Sequence, residues 1–162
     1  MTMRDQAFDQ VAKNLGYSFD GEIKIGGNYV PCLREGNTFY VSGHIPRIGN
    51  EVVVTGKAGL EVSLQEAQKA AQICVMRALA LLQRSLGSLD ALTAVPRITV
   101  YVQSSADFTQ QSEVADGASN VLFEILGEVG RHTRTSVGVY QLPKNATVEL
   151  DMIATVASPL NP

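Results

Sequence analysis

Apolar residues along this chain recur with two periods, three-to-four and two, and the alternation between them predicts the elements. Residues 3–15 place Phe8, Val11, Ala12 and Leu15 on one side of a short amphipathic helix. Ser63-Leu64-Gln65-Glu66 has capping-box spacing and opens a second helix. Leu64, Ala67, Ala71, Cys74, Ala78 and Leu81 trace one of its faces, and Ile73, Val75, Met76 and Leu79 widen it. That helix is therefore heavily buried, and Gly87 stops it. Val114, Ala118, Val121, Leu122, Ile125 and Val129 form the stripe of a third, over about 112–128. Alternation takes over elsewhere. Residues 29–33 and 38–42 read as a hairpin around Arg34-Glu35-Gly36-Asn37. In 95–102, Ile98, Val100 and Val102 share a phase opposite Thr99 and Tyr101, and two final strands flank Leu142-Pro143-Lys144-Asn145.

After the first helix the order is β-β-α-β-α-β-β, which places the chain in the α+β class. Two right-handed β-α-β passes put both later helices on one face of a single mixed sheet. Tyr101, Tyr140, Phe39 and Val41 suggest apolar character in both strand phases. Two helices cover only one face, so the other is expected to be closed by a homo-oligomer rather than left as an exposed apolar patch. We divide the chain into an N-terminal helical extension (1–22), one main domain (23–157) and a short tail (158–162).

Composition narrows the function. Net charge is −3, with 13 basic residues scattered among 16 acidic ones. No basic patch is available to neutralise phosphates, which argues against nucleic acid as a partner. No apolar run approaches the roughly 18 residues that cross a bilayer, and Met1–Gln6 lacks the basic-then-apolar pattern of a secretory signal. A cytoplasmic protein without a membrane partner is expected. Cys32 and Cys74 have neither metal-ligand nor disulfide-framework spacing, and both read as structural. No His/Cys/Asp/Glu cluster calls for a metal, and no cofactor is expected.

The block from Arg134 to Asp151 carries the most chemistry. Arg134 enters one strand, Leu142-Pro143-Lys144 makes a turn, and Glu149 lies in the last strand, with Asp151 two residues on. A guanidinium offers a planar fork for a carboxylate, and a nearby Glu can hold and polarise a water. An ion pair between adjacent strands would use the same two residues structurally. Three further blocks accompany it: Gly27-Asn28-Tyr29-Val30-Pro31, Gly36-Asn37-Thr38-Phe39-Tyr40-Val41-Ser42-Gly43-His44-Ile45-Pro46, and Thr99-Val100-Tyr101-Val102 followed by Asp107-Phe108. In this order and spacing, covering about 29–156, the four blocks resemble the RidA (YjgF) family of small enamine/imine deaminases, in its longer branch.

The resemblance implies a chorismate-mutase-like fold and a homotrimer with sites between subunits. It implies Arg134 and Glu149 as catalytic residues, and Tyr29, Ser42, Gly43, Ser136 and Asp116 around a small carboxylate-bearing substrate. Arg134 would grip a 2-imino acid, and Glu149 would hold the attacking water. Ser136 stands where the family commonly has Cys, and His44 where it usually has Gln. Asp116 is the nearest counterpart of an Asn contact. By residue type alone Tyr29 is equally a packing aromatic, Gly43 a strand-end bulge and His44 a structural group, while His132 caps helix-exit carbonyls. A non-catalytic carboxylate-binding protein is the second reading, and ribonuclease activity ranks last.

Overall fold

The computed structural model describes residues 1–158, so the tail lies outside them beyond Ser158. Helix α1 spans Met3–Leu15 and is capped by Thr2, with Gly16 turning left-handed behind it. Strands β1 (Cys32–Glu35) and β2 (Thr38–His44) form the hairpin. A two-stranded ribbon, β3 (Arg47–Ile48) and β4 (Glu51–Val52), follows; its strands are too short to leave a periodic signal in the sequence. Helix α2 spans Leu64–Leu86, and its Ser63/Glu66 capping box is closed in both directions. Strand β5 (Leu92–Gln103), helix α3 (Gln111–Leu126), strand β6 (Thr133–Val139) and strand β7 (Val148–Val156) complete the chain.

The main sheet has the order β1-β2-β7-β5-β6. Strand β5 runs parallel to β6 and antiparallel to β7, as expected for a mixed α+β sheet. One layer of side chains (Phe39, Val41, Ile98, Val100, Val102, Val148, Leu150 and Met152) is buried beneath α2 and α3. No helix among the described residues is long and apolar enough to cross a membrane.

Three details differ from the sequence reading. The hairpin starts later, because Glu35 pairs with Thr38 across a two-residue Gly36-Asn37 loop. Gly36 takes a φ of 58°, the left-handed geometry such tight loops demand. Tyr29 thus sits in an irregular segment ahead of β1 instead of in a strand. Second, β6 and β7 are not neighbours, since β5 lies between them. An Arg134–Glu149 pair across adjacent strands is therefore ruled out. Third, the uncovered face is mixed, not apolar. Phe39 and Val41 point into the core, and Tyr140 falls beyond β6. The open face combines Leu33, Tyr40, Ile153, Tyr101 and Val137 with Thr99, Thr135, Arg97 and Asp151, as the register places them. Leu33, Tyr40 and Val137 are exposed.

Candidate functional site

Glu149 and Arg134 occupy two separate places. In β7, Val148 and Leu150 are buried, so Glu149 turns to the uncovered face, where it stands opposite Tyr101 of β5. Its floor is made by an irregularity in β2. Val41 faces Met152 and His44 faces Leu150, so three steps on β2 match two on β7. The extra residue is a bulge at Ser42-Gly43. A Cβ on Gly43 would collide with Glu149 Oε1, so only glycine lets the carboxylate lie where it does against this backbone. Ser42 is committed locally, donating its hydroxyl to the Val30 carbonyl at 2.7 Å. That bond ties the Tyr29 segment to the bulge.

Two depressions meet at Glu149. A cavity of about 90 Å³ is lined by Tyr29, Gly43, His44, Arg77, Lys144 and Glu149, among others. A shallow groove of about 590 Å³ over the open face shares Tyr29, Gly43 and Glu149 and adds Tyr40, Ser42 and Asp151. Burial raises the Glu149 pKa, and the negative charge of Asp151 pushes it the same way; no hydrogen bond among the described residues opposes them. Asp151 is engaged by Tyr101, whose hydroxyl donates to it at 3.1 Å. Burial, followed by the Asp151 charge, raises the Tyr101 pKa as well.

Arg134 stands opposite Ile98, on the helix side of the sheet, and α3 receives it. Nη1 donates to Asp116 Oδ1 at 2.8 Å and to Ser119 Oγ at 2.9 Å. Nη2 donates to the hydroxyl and carbonyl of Ser112, at 2.8 and 3.2 Å. His132 extends the cluster: one ring nitrogen bonds Ser119 Oγ and the other the Gly130 carbonyl, the helix-exit role anticipated for it. Ser136 shares the Arg134 phase of β6, so it belongs to this group by position. Asp116 therefore does meet Arg134, as a carboxylate partner.

Cys74 is fully buried, as predicted, its thiol pKa raised by burial, and Cys32 is half-buried at the start of β1. His44 is buried. Burial, reinforced by the Arg77 charge, lowers its pKa to about 3, so it is neutral at pH 7. Sequence reasoning missed Arg77 and Arg47. The signal was present for Arg77, a lone cation inside the apolar run 73–82. Among the described residues no group of His, Cys, Asp and Glu is arranged to hold a metal.

With this geometry in place, known proteins give a consistent picture. Protein TCP17 of Trypanosoma cruzi is 38% identical over 151 residues, spanning 91% of this chain and 94% of its own. The crystal structure of Atu1372 from Agrobacterium tumefaciens, a protein of unknown function, is 37% identical. It covers 96% of this chain and 95% of its own, with a TM-score of 0.84. Escherichia coli TdcF, crystallised with bound serine, shares the fold at 20% identity and a TM-score of 0.62, over 86% of this chain and 96% of its own. A family model described as Endoribonuclease L-PSP matches residues 20–156. This chain is a member of that family, the RidA/YjgF proteins.

Proposed function

We propose that the protein is an enamine/imine deaminase that hydrolyses 2-imino acids to 2-oxo acids and ammonia. The carrying observation is Glu149: a half-buried carboxylate, raised in pKa and without a hydrogen bond among the described residues, facing a cavity and a groove. Such a group is poised to take a proton from a water. The water attacks the C=N carbon to give a carbinolamine. As the C–N bond breaks, the carbon becomes a ketone and nitrogen leaves as ammonia. Imines hydrolyse unaided, so positioning and modest proton transfer suffice.

Arg134 supplies the grip on the substrate carboxylate from a neighbouring protomer, because within one protomer it turns to the opposite side of the sheet from Glu149. Its bond to Asp116 does not preclude this. Asp116 is about half exposed, and such pairs are worth only about 0–1 kcal/mol. A bidentate contact requires the substrate carboxylate to replace both Asp116 and the Ser112 oxygens, to which the two terminal nitrogens of Arg134 donate in the single protomer. Three copies packed so that the β6 edge of one protomer meets the open face of the next would bring Arg134 toward Glu149 and cover Leu33, Tyr40 and Val137; the number three rests on the family resemblance. Tyr29 and Gly43 wall the substrate, while Ser136 and Asp116 sit on the Arg134 side. A small amino acid is of the right size, and TdcF, with the same fold, holds serine.

Coupling an amino-acid oxidase to the purified protein and following ammonia release tests the reading. Glu149→Gln should abolish the acceleration while a carboxylate ligand still binds, and Arg134→Ala should lose both. Turnover unchanged in Glu149→Gln would refute the water-holding role. Equal retention of binding in both variants would favour a different carboxylate anchor. RNA cleavage absent in the wild type would agree with the scattered charge.

A further inference from the structure

The cavity beside Glu149 has a charge imbalance that the deaminase reading does not use. Lys24, Arg47, Arg77 and Lys144 line it, against Glu149 as its one carboxylate. Arg77 is only 5% exposed, yet no carboxylate among the described residues pairs with it. Its Nη1 and Nη2 donate to the carbonyls of Ile45 and Lys24, at 2.7 and 3.2 Å. Those bonds satisfy protons but leave the charge uncompensated, and taking an unpaired ion out of water is strongly unfavourable. Arg47 adds a second positive charge close enough to oppose that of Arg77. Two residues that line the same cavity each carry a buried polar atom without a hydrogen-bond partner among the described residues: Arg47 at Nε, and His44, 3% exposed, at Nε2. A volume of about 90 Å³ has room for a carboxylate or several waters.

We propose that this cavity is an anion subsite within one protomer, built to take a second carboxylate on the ligand that reaches Glu149. Arg77 and Arg47 supply the charge, and neutral His44 a further hydrogen bond. Resting on the deaminase reading, the substrate class follows. One carboxylate of a 2-imino dicarboxylate goes to the neighbour's Arg134, the other enters the cavity, and the C=N carbon lies between them at Glu149. Imines of acidic amino acids are therefore preferred over those of alanine or leucine.

Titration calorimetry with succinate and propionate, two unreactive acids, tests the subsite without any turnover. Succinate should bind roughly tenfold or more tightly than propionate, about 1.4 kcal/mol. Arg77→Met should bring the two to parity, and Arg47→Gln should narrow the gap by part of that factor. The wild-type ratio carries the test even if Arg77→Met fails to fold. A parallel assay compares 2-iminosuccinate, made from aspartate by an oxidase, with 2-iminopropanoate made from alanine. If succinate binds no better than propionate while 2-iminopropanoate is turned over, the cavity holds only water and the subsite is wrong, with the deaminase reading intact. If succinate is selected but neither imine is hydrolysed faster than in buffer, the subsite stands and the deaminase reading falls.

Discussion

Asp5 and Glu149 are both carboxylates withdrawn from water, and they titrate in opposite directions. Burial would raise the pKa of Asp5, but hydrogen bonds from Ser88, Thr2, Gln83 and the Leu89 N–H outweigh it and bring it down to about 2. At Glu149 burial acts without an opposing hydrogen bond among the described residues, and Asp151 adds repulsion. The first is a structural clasp that fastens α1 to the end of α2 and the start of β5, helped by Arg4 donating to the Leu89 and Leu92 carbonyls. The second keeps its proton affinity and its lone pairs available. A carboxylate's hydrogen bonds, more than its burial, separate holding a fold from doing chemistry.

Exchanging each charge for an amide should separate the two roles. Glu149→Gln is expected to lower imine hydrolysis by roughly 100-fold, within the range of general-base contributions. Its urea midpoint should stay the same or rise, because a desolvated, unpaired charge is removed. Asp5→Asn should do the reverse, costing about 2 kcal/mol in urea unfolding and leaving kcat/KM unchanged. Equal stability losses in the two variants would erase the distinction.

A smaller effect comes from Gly43→Ala. The new methyl displaces Glu149, and turnover should fall roughly tenfold, read as kcat with the urea midpoint as control. The gentlest test is pH. Asp5 has a lowered folded pKa, so its stabilisation is complete above 3.8 and is lost as pH falls toward 2. Acid unfolding of Asp5→Asn should lack that dependence. Glu149 has a raised folded pKa, so its ionisation removes stability as pH rises above 4.5, whereas turnover, which needs the carboxylate, should climb through the same window. A rate profile with its acid limb at or below 4.5 would contradict this assignment.

Much of this was legible in the sequence, because periodicity and caps are local. The Ser63/Glu66 box, the α2 stripe and the alternation around Ile98 each report on neighbours a few residues away. So did the Arg134 and Glu149 blocks, through their spacing. Strand order is not local, and the insertion of β5 between β6 and β7 separated two residues that the chain brings within fifteen positions of each other. The bulge at Ser42-Gly43 was likewise hidden, since one extra residue changes which face His44 occupies without changing its type. Arg77 shows the limit most plainly. The chain determined that a cation lies within an apolar helix; only the packing of that helix against the β2 bulge and the 24–29 segment decided that the cation is buried without a counter-charge. Burial and pairing depend on what distant segments bring to a point in space, and that is settled when the sheet closes over its helices.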